Sequence, residues 1–266
     1  MPRPYNIVKT VQKIIGIIGG TGPSAGLDFM KNIFANTIAR KDQEHLNCML
    51  ISCPSIIPDR TEYLLSIVEE NPAYGMFECA KRLYAAGASY VAVACNTAHS
   101  NKIFPLFCTM VKESLPRLEV INMIETCATY AKKDVVSGSA KRIGLLATLG
   151  THTTGVYREY FKEEDGLILI EPDPARQEKI HAAIYDLDYG IKSHSQPVTD
   201  KTREIIKKEI HHLIEQGAEA VILGCSELPL AVNVQDFSIP FLDPGLICAR
   251  RLVELVALEK LITLSS

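Results

Sequence analysis

The chain has 266 residues, of which 47% are hydrophobic and 22% are charged, and its formal net charge is −3. A chain of this length and composition can form two globular domains of about 120 residues each. The charge gives no basic surface for nucleic acid, and no apolar run reaches the roughly 18 residues needed to cross a membrane. The first twelve residues contain no apolar segment typical of a signal peptide, so we expect a cytoplasmic protein.

Short apolar runs alternate with helical patterns along the first half of the chain. The runs predict strands at 13–19, 46–52, 89–94 and 118–122. Helices are predicted from residue 23 to about 40, after a capping box at 59–62, from 72 to 86, and in a segment broken by Pro105. Strands that alternate with helices in this way are typical of a parallel sheet.

The second half repeats this plan after a predicted helix at 125–133 and a Ser/Gly linker at 134–140. Strands are predicted at 142–147, 167–171, 220–223 and 239–242. One helix is predicted to begin near residue 153 and another at 174. After an irregular loop at 186–197, a long helix is predicted to end at 216, and the last helix covers 244 to about 262. We therefore expect an α/β protein with two parallel sheets and a cleft between their carboxyl ends.

Two pairs of segments align without gaps at nearly the same spacing. Residues 86–95 align with 216–225, which lie 130 positions later, and residues 13–22 align with 141–150, which lie 128 positions later. The repeat indicates a duplicated α/β unit. Each unit carries one cysteine at the end of a predicted strand, Cys95 in the first and Cys225 in the second.

The chain has eight cysteines but no Cys-x-x-Cys pair, which indicates free thiols in a reducing compartment. Cys95 and Cys225 precede predicted helix N-termini, where the pKa of a thiol is lowered. A matched pair can remove a proton from one face of a carbon and deliver one to the other face. Burial as core filler is the alternative, and it is the prediction for the remaining six: Cys48, Cys53, Cys79, Cys108, Cys127 and Cys248. A metal site would need further ligands close to these cysteines in the sequence, and none is present, so no metal site is predicted.

The turn at 20–25 matches the Gly-x-Gly-x-x-Ala pattern of dinucleotide-binding proteins. That pattern requires an acidic residue at the end of the next strand to bind the ribose, and the strand at 46–52 has none. The turn is therefore better suited to present backbone N–H groups and the Thr21 hydroxyl to a smaller anion.

Two cations and four polar residues are further candidates for ligand binding. Arg60 follows a predicted cap and opposes the helix dipole, which hints that it serves a ligand carboxylate, and Lys192 in the irregular loop is a similar case. Each can equally be a solvated surface residue. Four polar residues follow the two cysteines: Asn96, Thr97, Ser226 and Glu227. They can cap the helices that are predicted there, bind a ligand carboxylate, or do both.

Four motifs resemble the aspartate/glutamate racemase family, specifically its aspartate racemase branch. They are Ile-Gly-Gly-Thr-Gly-Pro at 18–23, Pro-Asp-Arg-Thr at 58–61, Ala-Cys-Asn-Thr-Ala-His at 94–99 and Leu-Gly-Cys-Ser-Glu-Leu-Pro at 223–229. The chain departs from the family at Ser226, where threonine is usual, and in the loop at 188–192. Glutamate racemases differ in beginning with Asp-Ser-Gly and in having Thr-His after the second cysteine. The resemblance therefore favours aspartate and leaves glutamate open as a further substrate.

The resemblance implies a cofactor-independent amino-acid racemase built from two pseudo-symmetric α/β domains with the active site between them. It implies that Cys95 and Cys225 are the paired proton donor and acceptor. It also implies that Arg60, Asn96, Thr97 and Lys192 contact a small amino-acid substrate. We expect a homodimer that uses neither nucleic acid nor a membrane as a partner.

Family members exchange segments between their domains, which predicts a first domain of 1–122 plus 244–266 with Cys95 and a second of 123–243 with Cys225. Related isomerases of this fold, the hydantoin racemases and maleate isomerases, remain alternatives. Two other classes also remain open. A dinucleotide-binding oxidoreductase would bind nicotinamide or flavin, and a non-catalytic amino-acid-binding protein would exchange no Cα proton.

Overall fold

The computed structural model describes residues 13–135 and 141–263. The N-terminal segment without a signal pattern and most of the predicted linker lie outside the described residues. Within them, the structure has two sheets with the same order of parallel strands.

The first sheet has the order β2-β1-β3-β4 and comprises β1 (Ile15–Gly19), β2 (Cys48–Ser52), β3 (Tyr90–Val93) and β4 (Glu119–Ile121). The second has the order β6-β5-β7-β8 and comprises β5 (Lys141–Ala147), β6 (Leu167–Ile170), β7 (Ala220–Gly224) and β8 (Phe241–Leu242). All pairings are parallel, so the prediction of two parallel α/β sheets is confirmed. Apart from Arg142 near the start of β5, the two central strands of each sheet are buried where the structure describes their side chains. This burial explains their continuous apolar runs.

Helices connect the strands in both halves. Those of the first half are α1 (Pro23–Ala35), α2 (Arg60–Leu64), α3 (Pro72–Ala85), α4 (Phe104–Ser114) and α5 (Met123–Tyr130). Those of the second half are α6 (Leu149–Thr153), α7 (Pro174–Tyr185), α8 (Asp200–Glu215) and α9 (Pro244–Ala257). No helix within the described ranges is long and apolar enough to cross a membrane.

Several predicted helix bounds are wrong for local reasons. The helix predicted to begin near residue 153 ends at Thr153, because the Thr148 hydroxyl accepts the Thr151 N–H and starts α6 earlier. The first helix ends at Ala35 rather than near residue 40, since Thr37 pairs with Leu261 in a short antiparallel bridge. Pro105 does not break α4 but lies in its first turn, where a missing N–H costs nothing.

The last helix is also shorter than predicted, and the helix before the linker begins earlier. α9 ends at Ala257 and is followed by a 3₁₀ turn at Leu258–Lys260. α5 begins at Met123 because the Asn122 side chain accepts two N–H groups of its first turn.

One hydrophobic cluster joins the two halves. It contains residues from both sheets together with side chains of α1, α5 and α9, among them Ile17, Ile33, Met123, Ile143 and Leu252. Two further clusters lie one in each half, the first around α3 and α4 and the second around α7 and α8. The cluster shared by both halves holds the carboxyl ends of β3 and β7, where the two candidate cysteines follow, in a fixed relation.

Candidate active site

Cys95 and Cys225 lie at matched positions at the carboxyl ends of β3 and β7. Both line one small cavity between the two sheets, and their exposed fractions are 8% and 7%. The structure brings every residue predicted from the sequence to this cavity, whose lining includes Thr21, Arg60, Cys95, Asn96, Thr97, Lys192, Cys225, Ser226 and Glu227. The predicted cleft between the sheets is therefore present, and its lining comes from both halves.

The cavity is almost filled by its own side chains. Its volume is about 10 Å³, which is room for about one water molecule. An amino acid is several times larger, so a ligand of that size needs side chains of the lining to move.

Arg60 is buried in this cavity rather than solvated. Its exposed fraction is 5%, its Nη2 donates to the Thr21 carbonyl at 2.6 Å, and its Nη1 donates to the Pro58 carbonyl at 3.1 Å. The cap predicted for the short helix α2 is confirmed, because Asp59 accepts the N–H groups of Thr61 and Glu62. The surface alternative for Arg60 is therefore wrong.

Arg60 also lies beside the Cys95 thiol. Burial lowers the pKa of Arg60, but Cys95 and Asp59 beside it raise that pKa by more. The Arg60 Nε has no hydrogen-bond partner in the part of the chain that the structure describes. A buried guanidinium with an unused donor is suited to hold an anion.

Lys192 lines the same cavity and pairs with Glu227. Its Nζ is 3.1 Å from the Glu227 Oε2 and 5.0 Å from the centre of the Tyr185 ring. Burial lowers the pKa of Lys192, but Glu227 and Tyr185 raise it by more, so the ammonium stays charged. The exposed surface alternative for Lys192 is therefore wrong as well.

The environment of Cys225 differs from that of Cys95. Burial raises the pKa of the Cys225 thiol to about 12, and the Glu227 carboxylate acts in the same direction, while Lys192 and the Glu227 N–H lower it by less. The expectation that a helix N-terminus lowers this pKa is wrong, since only a single 3₁₀ turn at Leu228–Leu230 follows. Cys225 is a thiol in the free protein.

Hydrogen bonds between side chains close the cavity from both halves. Asn96 Nδ2 donates to Ser226 Oγ at 3.0 Å, and its Oδ1 accepts the Tyr157 hydroxyl at 2.5 Å. The Thr97 hydroxyl lies 3.0 Å from that of Thr148. Among the described contacts neither Asn96 nor Glu227 caps the turn that follows it, so the capping alternative fails for both.

The glycine turn at 20–22 contacts a carboxylate. A Cβ atom at Gly22, whose φ is +154°, would lie 2.6 Å from the Glu227 Oε1. In a dinucleotide site the second glycine of the pattern lets a pyrophosphate approach. Here the Glu227 carboxylate takes that place and would repel a phosphate, so the geometry disfavours the dinucleotide alternative.

Three side chains with a structural part in the site are not predicted from the sequence. Tyr185 donates to the Asp59 carboxylate at 3.1 Å and so connects α7 with the segment that carries Arg60. Tyr157 fixes Asn96, and His99 Nδ1 lies 2.8 Å from the Cys95 carbonyl. The His99 Nε2 accepts the Met123 N–H, so its Nδ1 carries the proton.

The described residues contain no group of three or more His, Cys, Asp or Glu side chains placed to hold a metal ion. The site that the structure does show consists of two thiols, two cations, the Glu227 carboxylate and a set of hydroxyl and amide groups.

Comparison with known proteins gives a consistent set of relatives. A family model described as Asp/Glu/Hydantoin racemase matches residues 18–252. The solved aspartate racemase of Picrophilus torridus has a TM-score of 0.75 at 28% identity, covering 94% of this chain and 96% of that one. The broad specificity amino-acid racemase of Bacillus subtilis is 24% identical over 90% of this chain and 96% of its own length. The glutamate racemase of Persephonella marina is 30% identical over 59% of this chain, and the match spans about half of that enzyme, 53%.

Proposed function

The chain belongs to the Asp/Glu/Hydantoin racemase family, and from this membership we propose that it is a cofactor-independent racemase that interconverts L- and D-aspartate. The observation that carries the proposal is the pair Cys95 and Cys225, which lie at matched strand ends and line one cavity. A base on one face of Cα and an acid on the other are what inversion at that carbon requires.

The free protein supports different starting roles for the two thiols. Cys225 has a pKa near 12 and serves as the acid that delivers a proton. Cys95, which lies beside the Arg60 guanidinium, is assigned as the base that removes the Cα proton. The roles reverse when the opposite enantiomer binds.

A dicarboxylic substrate fits the charges of the cavity. Arg60 comes from the first half and Lys192 from the second, so the cavity offers one cation to each of the two carboxylates. Arg60 would also stabilise the negative charge that develops when the Cα proton leaves. The Picrophilus torridus aspartate racemase supports aspartate as the substrate.

Binding requires the Lys192–Glu227 ion pair to open, because the cavity holds about one water molecule. The substrate carboxylate then replaces Glu227 as the partner of Lys192. Excluding bulk water around the reacting carbon strengthens each of these charge interactions.

The direct test follows Cα deuteration. The protein is incubated without added cofactor in D₂O with L-aspartate and, separately, with L-glutamate, an aspartyl hydantoin and maleate. The proposal expects loss of the Cα proton signal of aspartate together with appearance of D-aspartate on chiral chromatography. If the protein converts only the hydantoin, or only maleate, and neither amino acid, the chain would be another isomerase of this fold. Ligand binding without deuteration of any substrate would support the non-catalytic alternative.

The homodimer, the cytoplasmic location and the three-segment domain division remain predictions. Sedimentation equilibrium tests the first, and a mass of twice 29.4 kDa is the expected result. A mass of one chain at all concentrations would contradict it.

A further inference from the structure

A second pair of thiols lies outside the cavity. Cys53, predicted from the sequence as core filler, is only half-buried and begins the segment that leads to Arg60. The Arg82 Nη1 donates to the Cys53 Sγ at 3.4 Å. The fully buried Cys79 thiol neighbours the Cys53 thiol, and burial and this neighbour both raise the pKa of Cys79.

One face of α3 holds this pair together. Gly75, Cys79 and Arg82 are spaced four and three residues apart, so they share a face of the helix. A Cβ atom at Gly75 would lie 1.9 Å from the Ile56 carbonyl oxygen, which shows that the helix backbone packs directly on the segment after Cys53. The two thiols are therefore positioned by close backbone packing.

The two thiols differ in accessibility. A solvent-open groove beside Cys53 is lined by residues that include Pro54, Ile56 and Arg82. Cys79 has no exposed surface, and burial raises its pKa to about 12, so it remains a thiol. Cys53, with a cation at its sulfur and solvent beside it, is the one that a small reagent reaches first.

We propose that Cys53 and Cys79 form a peroxide-sensitive thiol pair that closes to a disulfide. The Cys53 thiolate attacks one oxygen of hydrogen peroxide, the O–O bond breaks, and Cys53 becomes a sulfenic acid as hydroxide leaves. The Cys79 sulfur then attacks the Cys53 sulfur, an S–S bond forms, and the hydroxyl leaves as water with the Cys79 proton. Two thiols lose two electrons and two protons, and one peroxide becomes two waters.

The position of the pair couples it to Arg60, and this part rests on the proposed function. A Cβ atom at Gly20 would lie 2.7 Å from the Cys53 backbone nitrogen, so the start of the segment packs on the glycine turn. The neighbouring Thr21 carbonyl accepts the Arg60 guanidinium. The Pro58 carbonyl, in the segment that Cys53 begins, is the second acceptor of Arg60. A disulfide that fixes Cys53 to α3 therefore restrains the backbone at both Thr21 and Pro58.

Peptide mass spectrometry tests the chemistry without reference to activity. The protein is treated with hydrogen peroxide, blocked, digested with trypsin without reduction, and searched for a cross-link between peptides 42–60 and 61–81. Fragmentation distinguishes Cys53 from Cys48 in the first peptide. The expected product links Cys53 to Cys79 and disappears on reduction. Absence of that link, or a Cys53 sulfenic acid that accumulates without it, would overturn the proposal.

Matched variants test the role of Arg82 and the effect on catalysis. Arg82→Gln is expected to slow alkylation of Cys53 by about tenfold and to leave that of Cys108, also half-buried, unchanged. Peroxide should inactivate the wild type reversibly, while Cys53→Ser and Cys79→Ala retain activity at the same dose. Equal alkylation rates for Cys53 and Cys108 in the wild type would contradict the inference. If the link forms but aspartate is never racemised, the proposed function fails and the thiol pair stands.

Discussion

Arg60 is held in the cavity by two backbone carbonyls and leaves one donor without a described partner. Replacing it with lysine keeps the charge but removes the planar fork that can bind a carboxylate through two hydrogen bonds. We expect Arg60→Lys to lower kcat/KM for aspartate by roughly tenfold to a hundredfold, the value of one charged hydrogen bond. Steady-state kinetics measure this. The control is Arg251→Lys, which changes an exposed arginine on α9. An unchanged kcat/KM in folded Arg60→Lys would show that Arg60 does not bind the substrate carboxylate.

Tyr157 acts on the substrate only through Asn96, so it is a positioning residue. Its hydroxyl binds the Asn96 Oδ1 and directs the amide N–H groups toward Ser226 and the cavity. We expect Tyr157→Phe to lower kcat about threefold to tenfold with little change in KM. Tyr160→Phe is the matched control, because its hydroxyl accepts from Asn122 outside the cavity lining. Equal effects of both variants would show that the Tyr157 hydroxyl matters only for stability.

Eight of the nine predicted lining residues were identifiable because they belong to the glycine turn, the cap at 59–62 or the two cysteine motifs, each a short stretch of sequence. Tyr157 and Tyr185 were not, since they lie 61 residues after Asn96 and 124 residues after Thr61, and only the fold brings them there. The pKa of Cys225 was predicted with the wrong sign, because the sequence shows a cap motif but not the burial around it.

The turn between β1 and α1 leaves no room for added volume beside Glu227. Gly22→Ala forces a Cβ atom against the Glu227 carboxylate and disturbs its ion pair with Lys192. We expect a loss of at least about tenfold in kcat/KM and a lower melting temperature, because a positive φ alone costs about 1–3 kcal/mol in a residue with a side chain.

Gly155→Ala is the control for this turn. Gly155 also has a positive φ, +64°, but a Cβ atom there meets no atom closer than 3.5 Å. It should lower the melting temperature through backbone strain alone and keep full activity. If Gly22→Ala keeps full activity as well, contact between Gly22 and Glu227 has no part in catalysis.

The positions of the strands along the chain and their parallel pairing were predictable from apolar runs, whereas their order in the sheets and several helix bounds were not. α6 illustrates the reason, because its Thr-Gly sequence has low helix propensity and forms a turn of helix only when Thr148 caps it. Side-chain capping and packing against α2 decide such short elements, and neither can be read from periodicity.

At the scale of the molecule, buried His99 makes stability depend on pH. In the unfolded chain its pKa is 6.5, whereas burial lowers the folded value to about 4. The unfolded state therefore binds more protons in this window, and the free energy of unfolding falls as the pH drops from 6.5 to 4. At ~1.4 kcal/mol per pH unit the loss reaches about 3 kcal/mol near pH 4.

Asp243 acts in the opposite direction, so a variant must isolate the histidine. Burial raises the folded pKa of Asp243 to about 6, and it therefore favours the folded state as the pH falls from 6 to 3.8. Urea unfolding between pH 7 and pH 4 should give His99→Gln a weaker loss of stability on acidification than the wild type. Parallel curves for the two proteins would exclude His99 as the cause.

The duplication of the chain was predictable from two aligned repeats, and both sheets have the predicted parallel arrangement. The hydrophobic cluster that joins the halves was not predictable from the sequence. The helices in it have apolar faces, and such a face has the same sequence pattern whether the helix packs on one sheet or on two. α9 packs on both α1 and α5 within it. That packing accords with a last helix assigned to the first domain, which remains a prediction.

The central claim is that Cys95 and Cys225 are the two bases of one reaction. Each alanine variant should abolish racemisation in both directions, and the double variant should be no worse than either, because the thiols act as a unit. Cys108→Ala, outside the cavity lining, should remain fully active.

The most direct measurement uses β-chloroaspartate, from which removal of the Cα proton by a single base eliminates chloride. Cys95→Ala and Cys225→Ala are each given both Cα enantiomers, and chloride release is followed. Each variant should process one enantiomer only, and the two variants should process opposite ones. Elimination of the same enantiomer by both variants, or racemisation of aspartate by either at the wild-type rate, would contradict the two-base account.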